Sequence, residues 1–183
     1  MDAVARAERL RTLMRGATPD DVLAFFDGLP PVEVADLLGS WRGAELPTGH
    51  RLDGLLGRFG WHGKRFEGAD AAHPLVFDDG RGGLVEVNPA LVPLGLVVRL
   101  AGLLRNPVAA AAFRVVRPLL RTRRPRARVR MVRHRGVVSA TMCYDALPVH
   151  DVFRRVDDDT LLGLMDLRGD DPPFAFVLRR QRA

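Results

Sequence analysis

The spacing of apolar positions along the chain changes near residue 39. Before it, Val4, Leu10, Leu13 and Met14 recur among Arg and Glu at helical intervals, which predicts a helix over residues 2 to 15 with one apolar stripe. Thr18, Pro19, Asp20 and Asp21 read as an N-cap, a proline at the first helical position and two acids at the positive helix end. The second helix is therefore expected to run to about Phe26 and to end near Gly28. A short third helix follows Pro31, through Val34 and Leu37 to Leu38, where Gly39 stops it.

From Gly39 onward short apolar runs alternate with turn residues. The segment 39–46 reads as a strand, and 51–59 as a helical turn before Gly60. Strands are then expected at 62–68, 73–79 and 82–88, with Asp78-Asp79-Gly80 as a hairpin turn. Residues 89–120 carry helical spacing again and predict two helices of about 14 residues each, separated by Asn106-Pro107. Five more strands follow, at 128–135, 136–147, 150–156, 160–169 and 173–180. Their turns fall at Gly136, at Asp157-Asp158-Asp159 and at Gly169-Asp170-Asp171-Pro172. On the last strand Phe174, Phe176 and Leu178 share one face while Ala175 and Val177 share the other, so both faces are apolar. A meander buried on both sides predicts a sheet curled around a core and covered outside by helices.

The expected fold class is α+β, with a closed antiparallel β-barrel of eight or nine strands. Residues 1–38 form an N-terminal helical segment, and residues 39–183 a barrel domain with a helical insertion at about 89–120. At 183 residues and 47% hydrophobic, the chain is long enough for a sizeable core and excludes collagen-like, disordered and mini-protein classes. No apolar run reaches the roughly 18 residues of a membrane span, and the first residues lack the apolar core of a signal peptide, so a cytoplasmic protein is expected.

Charge adds a local feature. The 28 basic and 22 acidic residues leave a formal net charge of +6, and Lys64 is the one lysine among the 28. Arg121, Arg123, Arg124 and Arg126 open an arginine cluster that runs to Arg135 without an acid, a positive field suited to phosphate or anionic headgroups. That cluster contains no aromatic residue, which argues against base stacking and so against nucleic acid.

The five histidines, His50, His62, His73, His134 and His150, show no helical metal spacing, and Cys143 is the single cysteine, so no metal site is expected. His50 and His150 have an acid close in sequence, Asp53 and Asp151, that could orient the ring. Ser139 and Thr141 lie on a strand without a nucleophile elbow, so no catalytic residue is assigned. Cys143 is expected to be buried as a small apolar group.

Gly39-Ser40-Trp41-Arg42-Gly43 reads G-x-W-x-G. It is followed by Thr48-Gly49-His50, Leu52-Asp53-Gly54-Leu55-Leu56, and Trp61 through Phe66; later come Ser139 to Asp145, Leu164-Met165-Asp166, and Phe176 to Arg180. This order of blocks, over roughly residues 36–180, resembles the bacterial GXWXG family, whose N-terminal region is joined to a C-terminal domain of unknown function. A looser similarity links the chain to the calycin-like barrels: lipocalins, fatty-acid-binding proteins and the haem-binding nitrobindins. There the G-x-W tryptophan plugs one barrel end and an arginine near the C-terminus packs across it. The resemblance implies that Trp41, with Arg179 and Arg180, closes the base.

Together these readings lead to an expected function: non-enzymatic binding or carriage of a fatty acyl chain or other small hydrophobic or amphipathic ligand. Trp41, Trp61, Met142, Tyr144, Phe174 and Phe176 would line the cavity, while His50 and Arg65 would meet a polar end; buried polar groups such as Lys64 would help orient it. No cofactor is required. Two alternatives are a haem- or small-molecule-processing enzyme of the barrel interior, and a module that binds an anionic membrane or nucleic acid through the arginine cluster.

Overall fold

The computed structural model describes residues 1–170 and 172–182; Asp171, in the turn expected before the last strand, lies outside them. Two helices come first. Helix α1 (Ala3–Leu13) is capped by Asp2, and α2 (Pro19–Asp27) by Thr18, whose hydroxyl accepts from the Asp21 N–H while the Asp21 carboxylate accepts from the Thr18 N–H. A 3-10 turn at Val34–Leu37 leads into β1 (Gly39–Glu45). After a short helix α3 (Leu55–Arg58) come β2 (Trp61–Gly68), β3 (Ala71–Asp78) and the three-residue β4 (Leu84–Glu86).

The helical insertion is more broken than its periodicity predicts. It comprises a 3-10 turn at Pro89–Leu91, α4 (Leu94–Arg99), α5 (Ala101–Leu104), α6 (Pro107–Val116) and a second 3-10 turn at Arg117–Leu120. Leu100, at φ −100° and ψ 12°, interrupts the first expected helix. Asn106 caps α6 through its side chain and Pro107 occupies the first turn, as a proline can there. The remaining strands are β5 (Ala127–His134), β6 (Val137–Tyr144), β7 (Val149–Asp157), β8 (Thr160–Leu167) and β9 (Phe174–Arg180).

All pairings between these strands are antiparallel. Following them round the sheet gives β1-β2-β3-β5-β6-β7-β8-β9 and back to β1, an eight-stranded closed barrel with β4 attached to β3 as a ninth strand. The outer faces of β7, β8 and β9 are covered by the N-terminal helices: Leu10, Leu13, Phe25 and Phe26 pack with Val152, Val156, Leu162, Leu164, Ala175 and Val177. This is why both faces of β9 are apolar.

The wall is incomplete in two places, and the chain fills each gap differently. Strands β6 and β7 share three registered pairs, Thr141 to Cys143 with Val152 to His150. Beyond them, residues 30–32 wedge between the strands: Ala140 N–H donates to Val32 O at 2.8 Å, and Arg155 N–H to Pro30 O at 3.0 Å. Ser139 sits in the same seam, accepting from Val32 N–H at 2.9 Å and donating to Phe153 O at 2.6 Å. The second gap lies between β3 and β5, registered only at Ala72 and Ala127. Beyond Ala72 the β3 strand pairs with β4 instead, and the helical insertion lies over the opening.

Candidate functional site

The barrel interior is set by strand parity, with one interruption. Trp41 and Lys64 face each other in register on β1 and β2, so Trp61 would point outward on a regular strand. The β2–β3 register shifts on either side of Gly63, however, and this irregularity turns both Trp61 and Lys64 inward and Arg65 outward. Gly63 has φ +153°, and a Cβ there would lie 1.9 Å from the Trp41 carbonyl oxygen; only glycine fits.

Trp61 and Lys64 border a cavity of about 470 Å³. Trp61 and Phe176 meet edge to face at 5.9 Å, and each ring lies on a glycine of a neighbouring strand. A Cβ on Gly43 would come within 2.3 Å of the Trp61 ring, and one on Gly163 within 2.4 Å of Phe176. Leu75, Phe77, Val87, Val149, Met165 and Phe174 contribute further strand-side surface, and Leu94, Val97, Leu104, Phe113, Val116 and Leu120 come from the helical insertion. Phe113 anchors that cap: its ring is 5.1 Å from Phe59 and 5.2 Å from Phe77. Arg117 adds a hydrogen bond to the Asp78 carbonyl.

Three polar side chains interrupt the apolar lining among the described residues: Lys64, Tyr144 and Asp151. The Lys64 ammonium donates to Asp151 Oδ2 at 2.7 Å, to Pro74 O at 3.2 Å and to the Tyr144 hydroxyl at 3.3 Å. Its Nζ also lies 5.0 Å from the centre of the Phe176 ring and 5.6 Å from that of Trp61, in cation–π range. Burial pushes the lysine below its ordinary pKa, against the pull of Asp151. Burial, and then the Asp151 charge, push the Tyr144 phenol well above its own. The arrangement presents one hydroxyl and one buried ion pair to an otherwise oily chamber.

The residues expected to form the site divide. Trp61, Tyr144, Phe174 and Phe176 border the cavity. Trp41 and Met142 do not; both are fully buried deeper in the barrel, Met142 one inward position below Tyr144 on β6. Trp41 instead donates its indole N–H to Leu37 O at 2.7 Å, and the Arg180 guanidinium stacks 4.2 Å from its ring centre. Arg180 is held there by the carbonyls of Asp36 and Leu38, whereas Arg179 points outward and is exposed.

His50 and Arg65 lie outside the cavity altogether. His50 Nδ1 accepts from Leu52 N–H at 3.1 Å and Nε2 bonds Asp170 at 3.0 Å, so the ring ties the β1–β2 connection to the β8–β9 turn. Its partner is not Asp53, which accepts from the Thr48 and Gly49 N–H groups. Arg65, thrown outward, pairs with Glu86 and Glu67 beside His73 on the outer surface. Asp151 does not orient His150, because adjacent strand residues face opposite ways: His150 is exposed while Asp151 reaches Lys64. Cys143, expected to be buried, is half-buried on the outward face of β6. Among the described residues, no histidine lines the cavity. Among the described residues, no three His, Cys, Asp or Glu side chains converge on a metal site. No helix among them is long and apolar enough to cross a membrane.

Asp151 was the residue hardest to anticipate. Its signal is the alternation of Val149, Asp151 and Phe153, which puts an acid on the inward face of a barrel strand.

Fold and lining together define a class: a closed up-and-down β-barrel, as in calycin-like proteins, here with an apolar lumen roofed by an inserted helical segment. The chain belongs to the GXWXG family. Residues 24–82 match the model of the GXWXG protein, and residues 125–180 match a domain of unknown function, DUF4334. A crystal structure of a protein from Thermomonospora curvata is similar over the whole of both chains, with 31% sequence identity and a TM-score of 0.73. No curated protein matches the chain.

Proposed function

We propose that the protein binds or carries a small hydrophobic or amphipathic molecule, such as a fatty acyl chain or lipid, in the barrel lumen without transforming it. The observation that supports this is the cavity itself: about 470 Å³, within the range of small-molecule sites, with oily walls and a single polar group of side chains. The apolar body of the ligand would lie among Phe77, Phe113, Trp61 and Phe176. Its polar end would meet the Tyr144 hydroxyl beside the Lys64–Asp151 pair. Since the three Lys64 protons already have acceptors, tyrosine is the more available donor.

Native mass spectrometry of gently purified protein, together with uptake of a fluorescent fatty acid, tests this reading. The expected result is a bound small molecule or saturable uptake, reduced when Leu104→Trp fills the chamber from the cap side. A clean unliganded mass together with no uptake would overturn it.

A further inference from the structure

The cap over the lumen is apolar on two sides. In the stretch from Leu94 to Leu104, Leu94, Val97 and Leu104 face the cavity and Ala101 is buried. Leu96, Leu100 and Leu103 recur at i, i+4 and i+7 on the other side and are exposed, Leu103 by 73%. Helix α6 repeats the arrangement. Ala109, Ala112 and Phe113 face inward, while Val108, Val115 and the following Leu119 are left on the surface, the last two 78% and 81% exposed. A helix that is apolar all round normally has both faces covered, and an exposed apolar patch of this kind marks an interaction surface.

Charge selects the partner. Between Glu86 and Asp145 the sequence contains twelve arginines and no acid. Arg99, Arg105 and Arg114 lie on the same helical pieces as the exposed leucines and valines or at their ends, and Arg121, Arg123 and Arg124 follow directly; all six are exposed. Arg128, Arg130 and Arg135, farther along, are tied to Asp145, Asp70 and Asp27. The unneutralised field therefore centres on the cap. A second copy of the chain would set this acid-free face against itself. A nucleic acid would leave the leucines in water and find, among the described residues, no exposed aromatic ring to stack on. An anionic bilayer accommodates both features, the acyl region receiving the apolar side chains and the lipid phosphates the guanidinium forks.

We infer that the outer face of the cap is a docking surface for anionic lipid bilayers. Leu103, Val115 and Leu119 enter the boundary between headgroups and acyl chains, and Arg99, Arg114, Arg121, Arg123 and Arg124 engage phosphates. The inference concerns the outer face and stands whether or not the lumen holds a ligand.

Flotation of the full chain with phosphatidylcholine vesicles, with and without phosphatidylglycerol, tests it. The protein is expected to float with the phosphatidylglycerol vesicles and to detach progressively as salt rises. Replacing Arg121, Arg123 and Arg124 by serine should weaken partitioning about a hundredfold, at roughly a factor of five per basic residue near the surface. Leu103→Asp with Leu119→Asp should weaken it at least about tenfold while leaving circular dichroism and melting unchanged, since both side chains are exposed. Equal partitioning of this double variant and the unaltered chain would overturn the inference, as would absence of binding to phosphatidylglycerol vesicles. A dimer in light scattering that Leu103→Asp dissolves would assign the face to a second copy, and retention of DNA without vesicle binding would assign it to nucleic acid; either result overturns the bilayer.

Discussion

Lys64 and Asp151 stand on β2 and β7, four strands apart in either direction around the barrel, and their side chains meet in its interior at 2.7 Å. The two side chains are 3% and 2% exposed, so each charge depends on the other for its solvation. Removing one partner strands a buried charge, which costs about 3–5 kcal/mol, whereas replacing both with apolar groups is often neutral or favourable. Lys64→Met and Asp151→Leu should each lower stability by about that amount, and the double variant should recover most of it. Denaturant titration of the four proteins completes the cycle; additive losses would show that the two groups do not act as a pair.

Tyr144 is the one tyrosine in the chain, so tyrosinate absorbance reports it alone. With its folded pKa raised well above 10.0, the phenol keeps its proton in the folded state at pH values where the unfolded chain has lost it. The folded protein then binds more protons than the unfolded one, so this group's stabilisation is complete below about pH 10 and is lost as pH climbs toward the folded value. Ultraviolet titration should show no tyrosinate until the protein unfolds in alkali. A reversible transition near pH 10 with native circular dichroism would contradict the buried placement.

Gly43→Ala tests the seat of Trp61. The added methyl would fall 2.3 Å from the indole ring, which must move away from β1 into the lumen. Overpacking of this kind costs about 1–3 kcal/mol. The variant should melt earlier and take up less fluorescent fatty acid; unchanged uptake would mean that Trp61 does not border the binding space.

Phe113→Ala tests the cap. Its ring is the contact between α6 and the aromatic side chains Phe59 and Phe77, and truncating a buried phenylalanine costs about 3–5 kcal/mol, less here because the residue is only partly buried. Ligand exchange measured by stopped-flow fluorescence should accelerate with the strands' own hydrogen-exchange protection preserved. Exchange at the original rate would mean that the route in does not pass beneath this helix.

Much of the architecture was legible because its signals are local. The nine strands follow from apolar runs cut by Gly and Asp turns, and the two-sided β9 announced helices on the outside of the barrel. That eight strands close the ring was less visible, since β4 differs from its neighbours only in pairing with a single strand of the barrel. Within the site, alternation put Phe174 and Phe176 on one face of the last strand, and both border the cavity. Arg65 and Lys64 are neighbours on a strand and cannot both face inward; the irregularity at Gly63 brings Lys64 in with Trp61 and leaves Arg65 outside. His50 was misread because its partner, Asp170, is 120 residues away. No pattern along the chain encodes such a pairing.

Between β3 and β5 the sheet's hydrogen bonds extend through β4 to the points where Asn88 meets Leu120 and Val87 meets Arg121, and the helical residues 89–119 between those points lie outside the ladder. Insertions or deletions between residues 89 and 119 can therefore re-cut the volume and mouth of the chamber while the eight staves keep their alignment. The size of the chamber is a property of its roof, free to vary at little expense to the walls that hold it up.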